Sequence, residues 1–103
     1  MTGGRVDFYI MRHITDNTMS VYVGSTTDLK RRKRQHKYHC STPTSDKHMF
    51  RMYKYIRDNG GFNNWEITSL MNLINPSDRA RYTLEQHLMI QYAATLNTKF
   101  RLV

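Results

Sequence analysis

The chain has 103 residues, and its 16 lysines and arginines outnumber its 8 acidic residues, which gives a formal net charge of +8. With 39% hydrophobic residues and one cysteine, Cys40, we expect a single intracellular domain over 1–103, cytoplasmic or nuclear, without an internal disulfide. No apolar run approaches the roughly 20 residues that cross a bilayer, so we expect no membrane insertion. The excess of basic residues favours nucleic acid as the partner.

The amino-terminal region predicts a β-hairpin. Residues 6–14 are largely β-prone, residues 19–23 have strand-like alternation, and the turn-rich residues 15–18 lie between them. Because successive side chains of a strand point to opposite faces, Tyr9 and Tyr22 each lie on the face opposite their immediate sequence neighbours. The two tyrosines are therefore predicted to meet across the hairpin.

A glycine turn and a strongly basic helix follow. Thr27 is the predicted N-cap, and the helix is predicted to run from about Asp28 to His39 with Leu29 as its one aliphatic residue. Arg32 and His36 share the face that Leu29 turns toward the fold. A Lys/Arg run by itself is more often a solvated face or a localisation signal, but the inward Arg32 and His36 favour phosphate binding. The cations expected to bind DNA phosphates are Lys30, Arg31, Lys33, Arg34 and Lys37.

The second half of the chain predicts two helices separated by a strand. The first helix lies near Asp46 to Asn59, where apolar residues recur at helical spacing from Met49 to Ile56, and the strand runs from Trp65 to about Leu70. The last helix is predicted to begin with Asn75 as N-cap and to reach about Ala94. The order β-β-α-α-β-α indicates an α+β fold, in which a small three-stranded antiparallel sheet is flanked by helices in a sandwich-like arrangement.

Two short motifs and the basic helix resemble the amino-terminal half of a GIY-YIG nuclease domain. The motifs are residues 7–9 (Asp-Phe-Tyr) and residues 22–24 (Tyr-Val-Gly), with twelve residues between them. In that family each strand of the hairpin contributes a tyrosine, and the next helix contributes an arginine and often a histidine. Arg32 and His36 lie at the matching positions of this sequence.

The last helix extends the resemblance to the second half of the chain. Glu85 lies within this helix and Asn97 follows twelve residues later, which is similar to the spacing of the family's glutamate and terminal asparagine. The resemblance therefore covers the chain from Asp7 to Asn97. It implies a metal-dependent DNA endonuclease that hydrolyses phosphodiester bonds.

The resemblance also implies roles that agree with the chemistry of the side chains. Glu85 would hold a single Mg²⁺ or Mn²⁺ ion, which keeps most of its waters, and Arg32 would clamp the non-bridging phosphate oxygens. Tyr9 or Tyr22 would take the proton from the attacking water. A tyrosine with an ordinary pKa of about 10 is a poor base unless nearby cations favour the phenolate.

His36 and Asn97 complete the set of site residues that the resemblance implies. His36 would hold a tyrosine hydroxyl in place or relay its proton, and Asn97 would orient the end of a strand or a water on the metal ion. The sequence departs from the family at Asp7 and Phe8, which replace the leading glycine and isoleucine. A carboxylate at Asp7 could repel phosphate or raise the pKa of Tyr9, or it could be an additional metal or hydrogen-bond partner.

Two further hypotheses are compatible with the sequence. The chain could be a catalytically silent module that binds nucleic acid through its basic helix, with Asp7 as the suggestive feature. It could also be the nuclease subunit of a larger DNA-processing complex, or a homodimer. The small size predicts contacts mostly to DNA phosphates with little base readout.

Overall fold

The computed structural model describes residues 4–97, which form a mixed α+β fold. The sheet is antiparallel throughout and has the strand order β2-β1-β3. This confirms the predicted fold class and the predicted order of elements. The elements are β1 (Arg5–His13), β2 (Tyr22–Thr26), α1 (Leu29–Ser41), α2 (Arg51–Asp58), a short 3₁₀ turn (Phe62–Asn64), β3 (Trp65–Ile74) and α3 (Asp78–Gln91).

The central strand β1 separates two hydrophobic clusters, one on each face of the sheet. Phe8 and Ile10 pack on one face with Leu88 and Met89 of α3. Met11 packs on the other face in a cluster drawn largely from α1 and α2, whose other buried members are Cys40, Met52, Tyr53, Ile56, Trp65 and Leu96. The alternation of the strand therefore decides which helices each side chain meets.

The N-cap residues of α1 and α3 both differ from the predicted ones. The Asp28 side chain, rather than Thr27, accepts the hydrogen bond from the Arg31 amide at 3.0 Å, so Asp28 is the N-cap of α1. Ser77, rather than Asn75, caps α3. Asn75 has a left-handed backbone with φ of 45° and accepts a hydrogen bond from Gly4 at 2.7 Å, so it ties the end of β3 to the start of β1.

The prediction for the second helix was wrong at its amino-terminal end, because α2 begins at Arg51 rather than near Asp46. Residues 42–50 form successive turns in which Ser45 and His48 bond to His39 at the end of α1. These local hydrogen bonds compete with a helix for the same segment. Met49, which helical spacing assigned to the core, is 74% exposed.

Other boundaries also differ from the prediction. β2 covers Tyr22–Thr26 rather than residues 19–23, so the predicted glycine turn at Gly24 lies within the strand. The helix α1 ends at Ser41 rather than His39, β3 extends to Ile74 rather than Leu70, and α3 ends at Gln91 rather than Ala94. The extra length of β3 comes from its pairing with the whole of β1, which a single strand's pattern does not reveal. Within residues 4–97, no helix has the length and apolar character needed to cross a membrane.

Candidate active site

The two hairpin tyrosines lie side by side on the sheet face that α1 and α2 cover. Tyr9 pairs with Gly24 in the strand register, and the Tyr9 and Tyr22 ring centroids are 6.2 Å apart. A Cβ at position 24 would lie only 2.5 Å from the Tyr9 hydroxyl oxygen. Glycine is therefore required here because the Tyr9 ring crosses directly over the backbone of β2.

His36 joins this pair from α1. Its Nε2 lies 2.8 Å from the Tyr9 hydroxyl, and its Nδ1 lies 2.8 Å from the hydroxyl of Tyr53 on α2. Burial, together with the positive charge of Arg32 and of other neighbours, lowers the pKa of His36 from its ordinary 6.5 to about 4. His36 is therefore neutral at pH 7, with one ring nitrogen donating and the other accepting.

Arg32 lies one turn before His36 and lines the same cavity. Its Nε is buried, and within the described part of the chain this atom has no hydrogen-bond partner. A buried donor without a partner is costly in a folded protein. Arg32 therefore lines the cavity with a buried Nε that has no hydrogen-bond partner among the described residues.

The pKa values of Tyr9 and Tyr22 are both raised, whereas nearby cations were expected to lower them and favour the phenolate. Burial, followed by the neighbouring Tyr22, raises the pKa of Tyr9 well above its ordinary value. Burial and then the charge of Glu85 raise the pKa of Tyr22. The Arg32 charge lowers both pKa values but does not overcome burial.

Glu85 on α3 lies beside β2, the strand at the edge of the sheet. Ser25 donates to Glu85 Oε2 at 3.2 Å, and Arg81 donates to the same serine hydroxyl at 2.9 Å and to its carbonyl at 3.1 Å. Arg81, which lies four residues before Glu85 on α3, thus bonds to Ser25 in β2. No local pattern in the sequence indicates these contacts, because they join residues 56 or more positions apart.

The donor chemistry at Glu85 suits a hard divalent cation. Its carboxylate is half-buried beside a hydroxyl group, and no cluster of three or more His, Cys, Asp and Glu side chains forms within residues 4–97. A Mg²⁺ ion is commonly held by one or two carboxylates while it keeps several waters. A structural zinc site would need four nitrogen or sulfur ligands instead.

Asn97 holds the backbone of β2 between Tyr22 and Gly24. Its side chain accepts from the Val23 amide at 2.9 Å and donates to the Val23 carbonyl at 2.6 Å. Asn97 is itself buried. Asn97 was expected to orient either a strand or a water on the metal ion. Its contacts with Val23 correspond to the first of these roles.

Asp7 shares the strand face of Tyr9 but is engaged elsewhere. Its carboxylate lies 3.4 Å from Arg5 Nε, and it is not among the groups that shift the pKa of Tyr9. Among the alternatives that the sequence left open for Asp7, the structure shows a carboxylate paired with Arg5.

A cavity of about 350 Å³ opens beside Tyr22, Arg32 and His36. It is also lined by Lys47 and Arg51, two cations that lie outside the motifs of the sequence. The predicted DNA-binding cations of α1 are not part of its lining. They are exposed on the surface of the helix: Lys30, Arg31, Lys33, Arg34 and Lys37.

Comparison with known proteins agrees with this geometry. The model of the GIY-YIG catalytic domain matches residues 7–99, which is most of the chain. The protein therefore belongs to the GIY-YIG family, a family of nucleases that are generally dependent on divalent metal ions. The resemblance seen in the sequence is confirmed. Comparisons with curated proteins and with solved structures find no match.

Proposed function

We propose that this protein is a metal-dependent DNA endonuclease that hydrolyses phosphodiester bonds at the site formed by β1, β2, α1 and α3. The observation that carries the proposal is the buried Tyr9–His36 hydrogen bond beside Arg32, whose Nε has no partner in the described residues. A neutral histidine, two phenols and an unused guanidinium donor suit a phosphate group better than a purely structural core. The family match supports the same reaction class.

Tyr22 is the better candidate for the group that accepts the proton from water. Tyr9 is fully buried and bonded to His36, whereas Tyr22 is half-buried and lines the cavity. A general base must lie within hydrogen-bond reach of the proton that it takes. Tyr9 would then act on Tyr22 rather than on water.

Arg32 would bind the non-bridging oxygens of the scissile phosphate as negative charge develops there. Asn97 would keep Tyr22 in position through its two hydrogen bonds to Val23. Glu85, held by Ser25, would bind a single Mg²⁺ or Mn²⁺ ion. When bound, such an ion supplies positive charge at the phosphate and offsets the effect of Glu85 on the pKa of Tyr22.

DNA as the substrate follows from the nuclease family and from the charge of +8. The exposed cations of α1 would contact phosphates along the duplex, so affinity would fall steeply with salt. Asp7 does not support the hypothesis of a catalytically silent module, because its carboxylate is paired with Arg5. A homodimer or a larger DNA-processing complex stays a prediction.

The test is cleavage of supercoiled plasmid with Mg²⁺ or Mn²⁺ by the wild type, Glu85→Gln and Glu66→Gln. Glu66 is the matched control, because it is the other glutamate of the chain and its carboxylate bonds to Arg12 on the surface. We expect nicked or linear product from the wild type and Glu66→Gln, at least a 100-fold loss in Glu85→Gln, and none with EDTA.

Two outcomes would contradict the proposal. Cleavage that survives Glu85→Gln would show that the metal residue is wrongly assigned. Intact plasmid that the wild type nevertheless binds at low salt would favour the silent binding module.

A further inference from the structure

Ser25 of β2 links two charged side chains of α3. Its hydroxyl donates to Glu85 Oε2 at 3.2 Å and accepts from Arg81 Nε at 2.9 Å, and its carbonyl accepts from Arg81 Nη2 at 3.1 Å. These bonds can have only this direction, because an arginine side chain has only donors and an ionised carboxylate only accepts. The single hydroxyl proton of Ser25 is therefore committed to Glu85.

Arg81 and Glu85 themselves do not pair. They lie four residues apart on α3, the spacing at which opposite charges on a helix meet. Within residues 4–97, however, the three ion pairs join other residues. The Arg81 guanidinium is held at Ser25 by two hydrogen bonds instead. The negative charge of Glu85 is thus not neutralised by its nearest cation on the helix.

Glu85 keeps one carboxylate oxygen for another ligand. Ser25 holds Oε2, whereas Oε1 has no hydrogen bond within the described part of the chain. The half-buried carboxylate lies close enough to Tyr22 for its charge to raise the pKa of this cavity-lining phenol. A free carboxylate oxygen at the edge of the candidate site suits a hard divalent cation, which takes oxygen ligands.

We propose that Ser25 and Arg81 are positioning residues for the divalent cation of this site. Ser25 fixes the Glu85 carboxylate so that Oε1 is left for the ion, and its bonds with Arg81 prevent that guanidinium from pairing with Glu85. This inference rests on the proposed function, in which Glu85 is the metal residue. Ser25 and Arg81 do not bind the ion themselves, and their effect passes through Glu85.

The physical benefit is a carboxylate that is ordered and fully charged before the ion binds. A glutamate on a helix samples several rotamers, and ordering it on binding costs entropy unless a hydrogen bond has already fixed it. A guanidinium bound to the carboxylate would also compete with the cation for the same oxygens. Loss of a hydrogen bond that orients a metal ligand commonly lowers metal affinity by about 10- to 100-fold.

The first test is titration of the protein alone with Mn²⁺, followed by the broadening of backbone amide signals in ¹H–¹⁵N spectra. The paramagnetic ion broadens signals near its site, so the amides around Glu85 report binding without DNA or cleavage. We expect selective broadening in the wild type and none in Glu85→Gln. Ser25→Ala should need at least about tenfold more Mn²⁺ for the same broadening. Ser69→Ala, which replaces an exposed serine of β3, is the matched control.

Two further variants of Ser25 test whether its hydroxyl is responsible. Ser25→Thr keeps the hydroxyl and should titrate within about threefold of the wild type, well short of the loss expected without the hydrogen bond. Ser25→Cys keeps the volume with a much weaker donor, so it should lose affinity and serves if Ser25→Ala does not fold.

A double variant tests the part played by Arg81. In Ser25→Ala the guanidinium loses one of its two bonds and is released toward Glu85, so removing it should restore part of the lost affinity. We expect Ser25→Ala/Arg81→Gln to need at least about threefold less Mn²⁺ than Ser25→Ala, which is a non-additive effect. Ser25→Ala/Arg79→Gln controls for net charge, because Arg79 is an exposed arginine of the same helix. No recovery beyond this control would contradict the role of Arg81.

The second test is single-turnover plasmid cleavage at increasing Mn²⁺ concentration. A positioning role predicts that Ser25→Ala shifts the Mn²⁺ concentration for the half-maximal rate by about tenfold or more, while the rate at saturating Mn²⁺ stays close to that of the wild type. A purely structural role would lower the rate at every Mn²⁺ concentration, and that result would overturn the inference.

The Mn²⁺ titrations separate failure of the inference from failure of the proposed function. Broadening that depends on Glu85 but is the same in Ser25→Ala and the wild type would overturn the inference alone, and so would a Ser25→Thr variant as weak as Ser25→Ala. Wild-type spectra without selective broadening near Glu85 would contradict the metal assignment in the proposed function, and the inference with it.

Discussion

The two faces of α1 place similar cations in very different surroundings. The inner face (Arg32, His36 and Cys40) packs toward the sheet, where His36 is 3% exposed and the Arg32 Nε is fully covered. The outer face (Lys30, Arg31, Lys33, Arg34 and Lys37) is exposed along its length. A charge in the interior acts on its neighbours far more strongly than a charge in water, so the two faces are expected to serve different steps.

The cations of α1 therefore form two surfaces with different expected roles. An exposed cation attracts the phosphate backbone through a screened interaction that any sequence of DNA satisfies. The Arg32 guanidinium, which lines the cavity beside Tyr22, would in the proposed function bind one phosphate in one geometry. We therefore expect inner-face variants to lose turnover and outer-face variants to lose affinity.

The largest expected effect is that of Arg32→Ala. Removing a preorganised donor that contacts developing negative charge typically costs about 100- to 1,000-fold in turnover, while DNA affinity should change less than threefold. Single-turnover cleavage and equilibrium binding measure the two effects separately. Arg31→Ala, one residue away on the outer face, is the matched control.

If DNA-bound Arg32→Ala cleaves at the wild-type rate, the inner and outer faces of α1 do not serve different steps. Arg32→Lys sharpens the test, because lysine keeps the charge but lacks the planar fork of donors. We expect this variant to bind DNA normally and still cleave slowly.

The second expected effect is a loss of stability at acidic pH that is due to His36. The pKa of His36 is lowered to about 4 in the folded state from about 6.5 in the unfolded chain, so the unfolded chain binds more protons in between. The contribution of His36 to the free energy of unfolding is therefore fully present above pH 6.5 and is lost as the pH falls toward 4. The loss attributable to His36 is about 3 kcal/mol.

Urea unfolding at pH 7.5 and at pH 4.5 measures this effect. His36→Gln should show a much smaller difference between the two pH values than the wild type. His87→Gln, which replaces an exposed histidine of α3, should behave as the wild type does. An unchanged pH dependence in His36→Gln would contradict the neutral, buried histidine.

The smallest effect is expected on the outer face. The double substitution Lys30→Ala and Arg34→Ala should weaken DNA binding about tenfold or less at low salt and reduce the slope of log K against log salt by about 2. Turnover at saturating DNA should stay at the wild-type value. Fluorescence anisotropy at several salt concentrations gives the slope, and a complete loss of turnover with normal binding would contradict the assignment.

Local periodicity was enough to predict which side chains of the hairpin and α1 lie close together. Strand alternation placed Tyr9 and Tyr22 on the face away from their sequence neighbours, and helical spacing turned Arg32 and His36 inward. These relations depend on the period of a strand or a helix, which is a property of the backbone alone. The same periodicity misplaced Met49, because hydrogen bonds between residues 42–50 and α1 replaced the first turns of the predicted helix.

The sequence alone determined the α+β fold, the family resemblance, and which four residues of the hairpin and α1 come together at the candidate site. Tertiary structure decided the partners: Tyr53 for His36, Ser25 for Glu85, and Val23 for Asn97. These contacts join segments 17 to 74 positions apart. Their geometry depends on how helices pack on the twisted sheet, and no local pattern of residues encodes that packing.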